Sequence, residues 1–140
     1  MDLRDDIQTH RVIRYQAPLI AWVGMITVSS AVPAGWFPQL PFWWLPKTVH
    51  VVFFFFLCLF IYRALRFQQS LPTLQKYAIP VSVLCTIIYA MADETHQLFV
   101  EGRTARLSDV ALDASSAFLF LLVHRVTTAI RSSKLPACSP

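Results

Sequence analysis

A chain of 140 residues that is 56% hydrophobic and only 14% charged, with a mean hydropathy of +0.52, is one domain by length and not a soluble one. Soluble domains carry about 25% charged residues. A fold this small cannot hide so much apolar surface from water, so the composition points to an integral membrane protein. The net charge of +4 matters less than where the charges fall.

Residues 1–16 are polar, with Arg4, Arg11 and Arg14 among three aspartates. The run from Ala17 to about Ala34 is uncharged and long enough for a first transmembrane helix, since about 20 apolar residues cross a bilayer core. Pro18 falls in its first turn, where proline is tolerated. A signal peptide cleaved near Ser29-Ser30-Ala31 is the rival reading. The acidic start and the apolar runs that follow weigh against it.

Residues 35–46 form a Pro/Trp-rich connection whose three prolines exclude a regular helix. Trp36, Trp43 and Trp44 suit the headgroup level. A second span is expected over 48–65, apolar all round, with Arg63 and Arg66 at its close. The linker 66–75 is polar. A third span runs over about 76–98, helical through Gln97, until Gly102 breaks it. A fourth runs from about Leu107 to Arg125, and the tail 131–140 reads as disordered. Cys58 and Cys85 fall in apolar runs and are expected to pack as small hydrophobes. Cys138 lies in the tail, and the odd count of three argues for no disulfide framework.

The fold class expected is therefore all-α: an integral membrane bundle of four transmembrane helices. Nine of the twelve Lys/Arg residues lie in the N-terminal segment, the second connection and the C-terminal end. The positive-inside rule then puts both termini in the cytoplasm. The basic residues serve as this orientation signal, so no nucleic-acid partner is expected.

By the same rule the stretch Asp93–Asp113 faces outward. It holds five of the eight acidic residues, namely Asp93, Glu94, Glu101, Asp109 and Asp113, between two apolar runs. On a helix Asp93, His96 and Gln97 share a face at i, i+3 and i+4, with Glu94 on an adjoining stripe. Asp109 and Asp113 are i, i+4, with Ser116 continuing the stripe. A charged Asp at a helix centre costs about 2.5–3.5 kcal/mol, so Asp113 needs a partner. Arg103 and Arg106 are the nearest candidates in sequence. Lys47 and His50, at i, i+3, open the second span at the same membrane face. These groups are expected to converge on one outward-facing polar pocket. The plainer readings are that the carboxylates only neutralise the arginines, that Ser29 and Ser30 bond to their own helix, and that Lys47 and His124 anchor at the interface. No metal-ligand spacing, phosphate loop or serine elbow is present, and no cofactor is expected.

Ala92-Asp93-Glu94-Thr95-His96-Gln97, then Gly102-Arg103, then Asp109, resembles the signature of VanZ-like membrane proteins. Lys47-Thr-Val-His50 resembles the Lys-x-x-His that opens that family's second helix. The likeness covers about residues 17–125. After Asp113 the family often has glycines, where Ser116 and Phe120 stand here. Phe120 is not small, so the last helix is expected to pack less closely there. The resemblance implies a cell-envelope role in the bacterial cytoplasmic (inner) membrane, and VanZ itself is linked to low-level resistance to teicoplanin, a lipoglycopeptide. It carries over the positions Lys47, His50, Asp93, Glu94, His96, Gln97, Arg103 and Asp109, and no catalysis.

The reading favoured by the sequence is a pocket of these residues and Asp113 that binds a membrane lipid headgroup, a lipid-linked envelope precursor or a glycopeptide. The alternative is an intramembrane enzyme with His96 or His50 as general base and Asp93 or Glu94 orienting it. A third reading makes the polar cluster a packing network. A homo-oligomer is compatible with so small a bundle.

Overall fold

The computed structural model of the chain describes residues 13–36, 44–68 and 71–134. Regular structure among them is helical throughout: α1 (Ala17–Ala31), a 3₁₀ turn (Ala34–Trp36), α2 (Leu45–Phe67), a short α3 (Pro72–Lys76), α4 (Ala78–Gln97) and α5 (Leu107–Lys134). Residues 13–15 are also helical and lead into α1 across Gln16.

Three helices, α2, α4 and α5, are long and apolar enough to cross a membrane. Their outer faces carry large exposed hydrophobics such as Val52, Leu84, Ile88, Phe118 and Leu122. Apolar surface on this scale suits lipid rather than water, and the chain is a multi-pass membrane protein.

The expected first span, 17–34, is shorter than the sequence suggests. α1 has 15 residues, about 22 Å of helix at 1.5 Å per residue, against a hydrocarbon core of about 30 Å. Val32 is extended and ends it. Yet α1 and its flanks reach both ends of α2. At one end Tyr15 stacks on Phe67 at 4.7 Å, and Arg14 and Arg63 lie over the Tyr15 ring. At the other end the Ser29 and Val32 carbonyls accept hydrogen bonds from Arg103. Between them the Trp22 indole N–H donates to the Phe53 carbonyl at 3.0 Å, and its ring packs against Phe53, Phe56 and Phe60.

Prolines mark helix starts. Pro46 lies in the first turn of α2, where a missing N–H leaves nothing unsatisfied. Lys47 and His50 therefore stand on rigid helix, although the connection 35–46 was expected to be irregular up to Pro46. Residues 37–43 of that connection, Trp43 among them, lie outside the described residues, as does Cys138. Trp36 and Trp44 are both exposed. In the 66–75 linker the Gln75 amide donates to the Arg66 and Gln68 carbonyls, and α3 fills part of what was expected to be plain connection.

The tail corrects another expectation. α5 does not stop near Arg125 but continues to Lys134. No Gly or Pro interrupts 125–134, and Arg131 and Lys134 in the last turn complement the negative end of the helix dipole. Residues 135–140 lie outside the described residues.

The core is aromatic and small by turns. Ile26, Phe54, Leu57 and Ala90 form one buried cluster. Cys58, Ala117 and Phe120 form another, with Phe55 and Tyr62 against them. Phe120 does not hold α5 away: it is buried, 6.1 Å from the Phe55 ring and 5.6 Å from Tyr62. Cys58 packs as expected, but Cys85 is exposed because it lies off the buried stripe of α4.

Candidate functional site

The buried face of α4 reads Ala78, Ser82, Thr86, Ala90, Asp93, Glu94 and Gln97. Small and polar residues recur every three or four positions, the spacing of one helix face. In its upper half the face is small, so α2 and α5 approach closely. In its last turn the same face becomes Asp93, Glu94 and Gln97. Three polar side chains thus enter the bundle at the end where α2 and α5 begin.

α2 and α5 run parallel from that end, and two pairs join them. The Lys47 ammonium lies 3.9 Å from Asp109 Oδ1, with both side chains partly exposed. One turn deeper, His50 Nδ1 lies 3.3 Å from Asp113 Oδ2. The i, i+3 and i, i+4 steps of the two helices match, which makes the pairs successive rungs. Asp113 is 1% exposed. Its partner is therefore His50, not Arg103 or Arg106 as the sequence suggested. Its second oxygen, Oδ1, is buried and has no hydrogen-bond partner among the described residues. A buried acceptor left without a donor costs about 1–3 kcal/mol.

The two arginines act on backbone. The Arg103 guanidinium donates to Ser29 O at 3.0 Å and to Val32 O at 3.2 Å. It thereby satisfies carbonyls at the C-terminal end of α1 that have no partner within the helix. The Arg106 backbone N–H donates to the Glu94 carboxylate, so Glu94 reaches across to hold the start of α5. A carboxylate there also meets the positive end of that helix. Behind them the Gln97 amide donates to Asp93 Oδ2 at 3.0 Å.

The turn that brings these groups together depends on Gly102. Its φ is +75°, a conformation that side chains with a Cβ resist. The adjacent Glu101 carbonyl accepts the Ala34 N–H at 3.3 Å. The exit of α1 is thus tied to the α4–α5 turn, and both close over the same end of the bundle.

A cavity of about 260 Å³ opens there. Lys47, His50, Glu94, Gln97, Arg103, Asp109 and Asp113 line it, with Pro46, Thr104 and Leu112 between them. Asp93 stands behind Gln97, bonded to its amide, and is not in the lining itself. His96 is different. It is exposed, and the expected Asp93/His96/Gln97 face is replaced by Asp93/Glu94/Gln97. The stripe Ser82–Thr86–Ala90 is centred so that its continuation passes between 93 and 94, which turns 96 outward. Continuing that stripe from the small residues is the signal that puts Glu94 on the buried face with Asp93 and Gln97. Among the described residues no group of three His, Cys, Asp or Glu side chains is placed to hold a metal ion. The Ser29 hydroxyl bonds back to Ile26 O at 2.8 Å, as its plainer reading expected, and takes no part in the cavity lining.

A family model described as VanZ/LLP1 matches residues 7–128. No curated protein and no solved structure matches the chain. The matched segment contains every residue that lines the cavity.

Proposed function

The chain belongs to the VanZ/LLP1 family, and from that premise we propose that it binds the polar head of a membrane lipid or lipid-linked envelope precursor in the cavity between α2, α4 and α5. The observation that carries this reading is a cavity lined by charged groups of both signs in a bundle whose outer faces are apolar. Charged groups near a membrane interior are costly, and in membrane proteins they mark ligand pathways and sites. The cavity's size narrows the class. Drug-sized ligands take roughly 300–1,000 Å³, so about 260 Å³ suits a headgroup and not a whole glycopeptide. Low-level teicoplanin resistance would then follow indirectly, through the envelope lipid or precursor held here.

The protein in this reading sits in the bacterial cytoplasmic membrane with α1 as a fourth span. The contacts of Tyr15 and of Ser29 and Val32 at opposite ends of the bundle support that count. The distribution of Lys and Arg supports cytoplasmic termini and an outward-facing cavity.

The 3.3 Å pair of His50 and Asp113 favours a second reading, an intramembrane enzyme. A carboxylate that holds an imidazole by one nitrogen leaves the other nitrogen free to take a proton from a hydroxyl or water. His50 and Asp113, rather than His96 and Asp93, would be base and orienter.

One experiment addresses both. The purified chain is mixed with bilayer lipids and lipid-linked precursors, and bound and converted species are quantified. The Lys47→Ala/Glu94→Gln variant should bind at least about tenfold more weakly, a loss of about 1.4 kcal/mol. Equal binding by the folded variant sinks the headgroup reading. Product formed by the parent chain and lost in His50→Ala selects the enzyme.

A further inference from the structure

The most buried charged groups around the cavity are carboxylates. At the rim, the Lys47 side chain is 48% exposed. At the floor, Asp113 and Glu94 are 1% and 5% exposed, with Asp93 behind at 6%. One imidazole, His50, pairs with Asp113 at 3.3 Å. The floor is therefore acidic, and the rim holds Lys47 paired with Asp109, whose side chain is 29% exposed.

The floor also lacks a donor. Asp113 Oδ2 is engaged with His50, while Oδ1 is buried and unpartnered among the described residues. Glu94 gives one oxygen to the Arg106 N–H, and Asp93 gives one to Gln97. An occupant that brings hydrogen-bond donors meets the first need, and one that brings them on a positive charge also meets the excess of carboxylates. The donor set is not grouped for a metal ion. An ammonium has three donors and no fixed coordination shell, so it can address oxygens spread over α4 and α5.

Resting on the headgroup reading above, we propose that the cavity selects a head with a primary ammonium beside a phosphodiester, the chemistry of phosphatidylethanolamine. The ammonium enters first and lies at Asp113 and Glu94. The phosphate stays at the rim beside the Lys47 ammonium. An acidic floor below the Lys47 ammonium matches the order of charges along such a head. The same arrangement opposes phosphatidylglycerol, whose head ends in hydroxyls and brings a net negative charge to an acidic floor.

The test uses the full chain in detergent, with lipid retention read by native mass spectrometry. The probes are phosphatidylethanolamine, its N-acetylated form, phosphatidylglycerol and phosphatidic acid, all with the same acyl chains. A further arm uses soluble glycerophosphoethanolamine as competitor, to separate a bilayer lipid from a free head. Phosphatidylethanolamine should be retained at least about tenfold better than its N-acetylated form and phosphatidylglycerol, a ratio worth about 1.4 kcal/mol. Asp113→Asn should bring it down to the phosphatidylglycerol level and leave the other lipids unchanged. Glu94→Gln gives the same reading should Asp113→Asn fail to fold. Strong competition by glycerophosphoethanolamine supports the same chemistry from a soluble source. Equal retention of the amine and its N-acetylated form overturns the proposal while the headgroup reading stands. Retention of no lipid at all overturns both.

Discussion

Gly102 decides whether the cavity can close. At φ +75° it occupies a region that costs other residues about 1–2 kcal/mol. A Cβ there would also meet the Ala34 Cβ at 3.3 Å, inside the contact that ties α1 to the α4–α5 turn. Gly102→Ala should therefore destabilise the bundle by about 1–2 kcal/mol, seen as a lower midpoint in SDS titration of the purified chain. An unchanged midpoint would mean that the turn is not under this constraint. Gly102, Arg103 and both aspartates of α5 are legible in the sequence, because glycine and charge stand out in an apolar chain. The faces of His96 and Glu94 are not, because the choice between adjacent helix positions depends on the phase of the whole stripe. That phase is set by Ser82, Thr86 and Ala90 packing against α2 and α5, a tertiary fact. The partner of Asp113 is not legible either, since nearness in sequence points to an arginine and cannot see that α2 runs beside α5.

At the scale of elements, α1 is held differently from the rest. The three long helices share the small and polar face of α4 and the Phe120 cluster. α1 is held by Trp22 on α2, by the Tyr89 hydroxyl 2.8 Å from Thr27, and by Arg103 at its end. Its 15 residues leave little margin, so terminal carbonyls without a donor would lie near the bilayer. Arg103→Met keeps an apolar stem and removes the donors. It should loosen α1 and cost about 1.5–3 kcal/mol, the worth of hydrogen bonds from a charged group. Hydrogen exchange by mass spectrometry should show faster exchange in α1 and little change in α5. Uniform acceleration would instead make Arg103 part of the global core. Helix identities were legible from length and hydropathy. The ends were not, because Pro46 starts a helix as readily as it ends one and no Gly or Pro interrupts 125–134.

At the scale of the molecule, the cavity's role depends on which side of the membrane it faces. α2, α4 and α5 fix that the Lys47, Glu94 and Asp113 end is a single end of the bundle, because α2 and α5 start where α4 stops. Which compartment it meets rests on charge. The far end gathers Arg14, Arg63, Arg66, Lys76, Arg125, Arg131 and Lys134, while the cavity end has Lys47, Arg103 and Arg106. Seven Lys/Arg against three make the far end the stronger orientation signal, which favours a cavity that faces outward. Leu107 and Ser133 sit at the two ends of α5, both exposed, and the 28 residues of that helix make about 42 Å, more than the hydrocarbon core. In a chain with its native cysteines replaced, Leu107→Cys should react with a membrane-impermeant maleimide on intact cells. Ser133→Cys should react only after permeabilisation. The reverse pattern would put the cavity on the cytoplasmic side, where it would meet the inner leaflet and cytosolic metabolites, and an envelope-facing function would be lost even if headgroup binding survived.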